Sequence, residues 1–196
     1  MRSSDFDEPA VLVRARSGEP EAFGLLFDIH RDRVFAQALR LTASVHDAED
    51  VTAMVFLEAW RRREGMREVN GSVIGWLLVT TNHVFHNFSR GNRRYGVALA
   101  GLPAAEHTPD HAGAVDERLD GDARRAELRD ALTRLSRKDQ DILVLCLIEE
   151  LSTAAAAEVL GVAQGTIKSR LSRAKGRLTR LLGESHASVP ALGGRQ

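Results

Sequence analysis

Apolar residues recur at helical spacing almost from one end of this chain to the other, with one long interruption. That pattern limits the possible folds more than any other feature. After Gly18 and Pro20, residues Phe23, Leu26, Phe27, His30, Val34, Ala38 and Leu41 fall on one helical stripe. Proline is tolerated in a first turn because the N–H it lacks has no intrahelical partner there. A second helix is expected from about Asp47 to Arg63, with Val51, Val55 and Ala59 on one stripe and Phe56 and Trp60 on another. Two stripes imply two buried or contact faces. A third helix is expected from near Ser72, an N-cap residue, carrying Trp76, Val79, His83 and His86. The periodicity then fades between Gly91 and Asp122, where Gly96, Gly101, Pro103, Pro109 and Gly113 intervene, and it resumes with Leu128, Leu132 and Leu135. No strand-type alternation competes, so the expected fold is all-α. It comprises a helical domain over 10–95, a flexible linker over 96–121 spanning about 30 Å as a coil, a second helical domain over 122–183, and a disordered tail over 184–196.

Charge divides the chain along the same lines. The 27 Lys and Arg balance the 27 Asp and Glu, which at first argues against nucleic-acid binding. The balance is not local. Residues 60–94 hold seven arginines and two acids; residues 96–121 hold five acids and one base; residues 152–196 hold seven bases and two acids. Two basic stretches thus flank an acidic one. Arginine supplies 24 of the 27 bases, which suits phosphate recognition through its planar fork, although an Arg- and Ala-rich genome would give the same bias. The single Cys146 excludes an internal disulfide and a multi-thiolate metal site. No apolar run reaches the length of a membrane span, and residues 1–20 have no signal-peptide core. The expectation is a soluble, cytoplasmic protein without membrane insertion.

The most specific local pattern lies between Ser152 and Leu182. A short helix ends at Gly161, and the turn Val162-Ala163-Gln164 leads through Gly165 into a longer helix. This is a helix-turn-helix arrangement spanning about 153–172, whose second helix enters the major groove. Ile167, Leu171, Ala174, Leu178 and Leu181 follow core-facing spacing. Lys168, Ser169, Ser172, Arg173 and Lys175 are then left on the outer face. Their side chains can donate to guanine O6 and N7 or pair with other base edges. A solvated basic face is the plain alternative. Upstream, Ser136 followed by Asp139 forms a capping-box-like start for the apolar run Ile142–Ile148.

The segment Gly165-Thr166-Ile167-Lys168-Ser169-Arg170-Leu171-Ser172-Arg173-Ala174-Lys175 resembles the region 4 recognition helix of extracytoplasmic-function (ECF) sigma factors of the sigma-70 family. Leu135-Ser136-Arg137-Lys138-Asp139-Gln140 and Glu158-Val159-Leu160-Gly161-Val162 fit the same domain. Ala48-Glu49-Asp50-Val51 with Val55-Phe56-Leu57-Glu58-Ala59-Trp60 resembles region 2.2, and Gly75-Trp76-Leu77-Leu78 with Asn82 resembles regions 2.3 and 2.4. Leu12–Gly18 and Glu21–Phe23 match the family's opening. The resemblance implies a non-enzymatic initiation factor, needing no cofactor, that binds core RNA polymerase through the β′ coiled coil and the β subunit. It also implies promoter DNA as a partner and leaves room for an anti-sigma factor. Carried over residue by residue, it makes Asp47, Glu49, Asp50, Phe56 and Trp60 candidates for polymerase contact, although aromatics at this spacing also suit a core. By the same likeness Asn82, Arg90, Arg93 and Arg94 are candidates for the −10 element, and Thr166, Lys168, Ser169, Arg170, Ser172, Arg173 and Lys175 for the −35 element. The acidic linker resembles connectors that run through the polymerase.

The chain departs from the family pattern at Ala53-Met54, where Gln-Glu is usual, and at His86 and Ser89, where Asp and Arg are common. Ala155-Ala156-Ala157 replaces a bulkier pattern, which predicts looser packing of the first motif helix. Other readings remain open. His83 with His86, or His107 with His111, could pair on a metal, but neither pair has an evident third ligand. A stand-alone helix-turn-helix regulator would bind duplex operators without polymerase. A sigma-like module could bind polymerase yet read promoters poorly.

Overall fold

A computed structural model describes residues 7–99 and 117–187, with side chains described for 7–91 and 121–184. The described residues are helical, and their only strand-like pairing is an isolated bridge between Val69 and Ser72. Helix α1 spans Glu8–Arg16, α2 Pro20–Leu41, α3 Val45–Arg61 and α4 Ile74–Leu99. Helix α5 spans Glu117–Arg134 and α6 Arg137–Leu143. A π-helical turn at Val144–Ile148 follows, then α7 at Thr153–Leu160 and α8 at Gln164–Ala187. Side chains that satisfy orphan N–H groups fix several starts. Ser44 accepts from the Asp47 amide at 3.0 Å, Ser136 from Asp139 at 3.2 Å and Ser152 from Ala155 at 3.1 Å.

Helices α1 to α4 enclose one core, with Leu12, Leu26, Val34, Val51, Val55, Phe56 and Leu77 among its buried members. Glu8 ties α1 to this group: its carboxylate accepts from His30 Nε2 at 2.9 Å and from the Val73 amide at 2.7 Å. Burial alone would raise the Glu8 carboxyl. The hydrogen bonds from His30 and Val73 and the attraction of His30 outweigh it and hold the group below its ordinary 4.5.

A second core is shared between the two ends of the chain. Val69, Ile74 and Leu78 pack with Ile142, Val144, Leu145, Ala155, Ala156, Ala157, Val159 and Ile167. Full burial of one such aliphatic side chain stabilises by up to about 1.5–3 kcal/mol, so the three N-terminal members hold the halves together by several kcal/mol. Helix α4 thus has partners on opposite sides, turning Leu77 and Phe85 to the first core and Ile74 and Leu78 to the second. Close approach requires glycine at position 75, where an added Cβ would sit 3.1 Å from Val159 Cγ2 and 3.3 Å from Leu145 Cδ2.

Three boundaries differ from the sequence expectation. Helix α4 continues to Leu99 and α5 begins at Glu117, so both ends of the stretch read as linker are helical; residues 100–116 lie outside the described residues. The tail expected from residue 184 is helical as far as Ala187. Helix α1, in the stretch matched to the family's opening, was not anticipated as a separate element; its partners lie in distant segments. The run Ala155–Ala157, expected to pack loosely, is buried in the shared core.

Candidate functional site

Three surfaces carry the candidate residues, and the fold treats them differently. The first is the helix-turn-helix formed by α7 and α8. Helix α7 ends at Gly161, whose φ of 65° is the left-handed cap conformation that glycine adopts without strain. A side chain there would also collide with Arg67, whose Nη1 donates to the Glu158 carbonyl at 3.3 Å. The turn closes through a hydrogen bond from the Val162 amide to the Ala157 carbonyl at 3.0 Å. Helix α8 then anchors itself through Ile167 and Ala174, both fully buried, with Leu171, Leu178 and Leu181 packed beside them. Lys168, Ser169, Ser172, Arg173 and Lys175 are all exposed, while Thr166 and Arg170 are half-buried. Arg173 Nε folds back onto the Ser169 carbonyl at 3.2 Å. Arg177, one turn beyond Arg173, donates to the buried Asp139 at 2.5 Å and fastens α8 to α6.

The second surface is the outer face of α3. Glu49 and Asp50 are exposed and Asp47 is half-buried. Between them and the end of the helix lie Met54, 42% exposed, and Leu57, 61% exposed. Phe56 requires correction as a contact candidate, because it is only 5% exposed. Its ring meets Phe27 edge-on at 4.7 Å and Phe23 at 6.4 Å. Trp60 is half-buried, 5.1 Å from Phe23 and beneath the Arg63 guanidinium at 4.8 Å. The aromatic stripe of α3 therefore faces α2. Apolar residues offered outward include Met54, at a position where the resemblance expects a polar polymerase contact to become apolar, and Leu57, which was not among the contact candidates and whose i, i+3 spacing from Met54 was the available signal.

The third surface is α4, where Asn82 departs most from expectation. Its side chain has no exposure at all. Arg40 Nη1 donates to Gln37 Oε1 at 3.3 Å, Gln37 Nε2 to Asn82 Oδ1 at 2.9 Å, and Asn82 Nδ2 to Asp141 Oδ1 at 2.9 Å. A carboxylate only accepts, so Asp141 fixes the orientation of both amides. Nearby, His86 Nε2 donates to Gln140 Oε1 at 3.1 Å, and Gln140 Nε2 donates to the Leu132 carbonyl at 2.7 Å. Burial pulls the His86 imidazole below its ordinary 6.5; the Gln140 bond resists, and Arg137 and Arg90 reinforce the fall. Arg90 is exposed near the far end of the helix, and the side chains of Arg93 and Arg94 lie outside the described residues.

His83 sits 3.6 Å from Asp141, and the described residues contain no group of three potential metal ligands. His107 and His111 lie outside the described residues. Cys146 is half-buried, and its thiol is pushed up by burial, with Lys175 pulling weakly the other way. No helix of the described residues is long and apolar enough to cross a membrane.

Comparison with known proteins gives two family-model matches in chain order. Residues 26–95 match sigma-70 region 2 and residues 125–178 match sigma-70 region 4. The chain is 33% identical over 163 residues to the ECF RNA polymerase sigma factor SigE of Mycolicibacterium smegmatis, covering 83% of this chain and 62% of that one. It is 34% identical over 177 residues to the ECF sigma factor BldN of Streptomyces coelicolor, covering 88% and 64%. To the ECF sigma factor SigL of Mycobacterium tuberculosis it is 30% identical over 161 residues, covering 80% and 86%. It therefore spans less than two thirds of the length of the first two relatives. Among solved structures, the sigma factor RpoE in complex with the anti-sigma factor NepR from Bartonella quintana aligns with a TM-score of 0.52 and 26% identity, covering 82% of this chain and 96% of that one. CnrH in complex with the cytosolic domain of CnrY aligns with a TM-score of 0.59, covering 91% and 99%, and at 20% identity shares the fold.

Proposed function

The chain belongs to the ECF RNA polymerase sigma factors, and from that membership we propose that it binds core polymerase and directs it to promoters, reading a −35 element with α8 and a −10 element with the α4 region. The observation that carries this reading is the outward face of α8. Five polar or basic side chains, Lys168, Ser169, Ser172, Arg173 and Lys175, stand exposed on a helix whose opposite face is anchored by Ile167 and Ala174. Such a helix can enter a major groove and offer donors to base edges while its neighbours neutralise phosphates.

Polymerase contact falls to the exposed part of α3. Met54 and Leu57 form a small apolar centre on the helical stripe that also carries Asp47 and Asp50, with Glu49 further round the helix, which suits a protein partner. Arg90, with Arg93 and Arg94 one turn further on, supplies charge for the −10 backbone, and Asn82 supplies hydrogen bonds to an extruded base once uncovered. The domains carrying these tasks are 10–95 and 122–183, and the acidic stretch between them passes through the polymerase. The factor is non-enzymatic and acts in the cytoplasm. An anti-sigma factor is a partner of the kind that its structural relative RpoE has in NepR.

Reconstitution with core polymerase, followed by sequencing of the 5′ ends of the RNA, tests the reading. Shared sequence elements upstream of the new 5′ ends are the expected result. Absence of stimulation on a genomic promoter pool refutes it, and duplex binding by the free chain alone, at full affinity, would favour a stand-alone regulator.

A further inference from the structure

An apolar cavity of about 120 Å³ lies between α2 and the helices of the C-terminal half. Its walls include Leu41 of α2, Leu132 of α5, Leu143 of α6, Leu178 of α8, and Leu147 and Ile148 of the π-helical turn. Arg33 pairs with Glu149 and fastens that turn to α2, yet Leu147 and Ile148 remain 41% and 46% exposed. Two buried amides also reach the wall, and both ends of each are engaged. Gln37 accepts from Arg40 and donates to Asn82, while Gln140 donates to the Leu132 carbonyl and bonds His86 through its oxygen. A polar guest here would lose its water without replacement, so the guest that fits is hydrocarbon.

A second cleft, of about 520 Å³, shares Arg40 and Leu128 with the cavity. Ala36 and Leu39 prolong its apolar floor, and Arg125 and Arg129 join Arg40 along it. Asp122 is the acid of this cleft, and Arg125 holds it at 3.1 Å. Among the described residues Arg40 bonds Gln37 at 3.3 Å and pairs with no carboxylate. Arg129 Nε is buried without a hydrogen-bond partner. We propose that cavity and cleft together form a binding site for an anionic amphiphile, a free fatty acid of about six to ten carbons. Its inner carbons fill the cavity, its outer ones lie over Leu39 and Leu128, and its carboxylate sits on Arg40 and Arg129. The size follows from the volume. A cavity of about 150 Å³ holds a six-carbon ring, so this one takes about four or five carbons, and the rest of the chain bridges to the guanidinium groups. Those groups match a carboxylate through their planar N–H donors, and the orphaned Nε gains the partner it lacks. The site is distinct from the outer faces of α3 and α8 and does not rest on the promoter-reading function.

Titration calorimetry of the full chain with hexanoate, octanoate and decanoate, each below its micelle concentration, tests the site. One molecule per chain is expected, with affinity rising about fourfold per added methylene and levelling once the site is full. Octylammonium has the same tail and the opposite charge, and should bind at least about tenfold more weakly than octanoate. Arg40→Ala should weaken octanoate about tenfold by removing a charge-assisted pair. Leu128→Glu, at a position 38% exposed on the edge shared by cavity and cleft, should abolish its binding. Thermal melts followed by circular dichroism check that both variants fold; should either fail, the chain-length and charge series on the wild type decides. Equal binding of octanoate and octylammonium, no saturable binding of any of the three acids, or undiminished octanoate binding by folded Leu128→Glu overturns the proposal. So does binding to phosphatidylglycerol vesicles without binding of the free acids, which would make the patch a membrane-facing surface instead.

Discussion

Helices α8 and α4 both carry residues matched to DNA-reading positions, yet one displays them and the other hides its central one. Helix α8 rests on its neighbours along one side, so Ile167 and Ala174 go inward and Lys168, Ser169, Ser172, Arg173 and Lys175 go to solvent. Helix α4 lies between α2 and α3 on one side and α6 and α7 on the other, and Asn82 is enclosed by Gln37 and Asp141. A polar residue at a recognition position is therefore accessible only if its helix has a free side. On α8 the polar face is a surface, and on α4 it is part of an interface.

Substitutions at matched positions of the two helices should expose this contrast. The largest loss of stability is expected from Ile167→Ala, which empties a fully buried site under α8; about 2–5 kcal/mol should appear in urea denaturation. Asn82→Ala comes next. It leaves the Gln37 amide and the Asp141 carboxylate each without a buried partner, so a loss of about 1–3 kcal/mol is expected in the same assay. A change near zero there would mean that water already reaches the Asn82 amide. Arg173→Ala should shift stability by less than about 0.5 kcal/mol. It should weaken −35 duplex binding by the holoenzyme and change the base preferred at one position, and an unchanged preference would assign Arg173 to phosphate.

The smallest effect is a pH dependence. His86 takes up its proton at lower pH folded than unfolded, because burial lowers its pKa from 6.5. Stability is therefore unaffected well above that value, falls as pH drops through it, and levels once the folded imidazole is charged. Unfolding curves for the wild type and His86→Gln should coincide in slope above neutrality and diverge below. Glu8 acts in a different window: its lowered pKa contributes stability above 4.5 that is lost as pH falls through the folded value.

Much of this was readable without coordinates. The stripe from Phe23 to Leu41 is α2, and Ser136 caps its helix as its spacing to Asp139 implies. The inward set of α8 follows from period alone, because a helix with one apolar side has one way to bury it. Phe56 and Trp60 were harder, since an aromatic at helical spacing suits a core and a binding patch equally well. Only the rings of Phe23 and Phe27 decide for Phe56. Helix α1 was missed because its short apolar set, Val11, Leu12 and Ala15, alternates with Val13, Arg14 and Arg16. It is held by Glu8 reaching His30 and Val73, both far away in the chain.

The helical class, the helix-turn-helix with its basic face, and the local imbalance beneath a net charge of zero all follow from the order of the residues. These depend on neighbours within a few turns, and periodicity, caps and charge counts report such neighbours directly. Packing between distant segments is what turns Phe56 inward on α3 while Met54 and Leu57 face outward, and what seals Asn82 against Asp141, 59 residues away. Burial of a polar side chain depends on a distant segment that supplies its hydrogen bonds, and no local pattern encodes which segment that is.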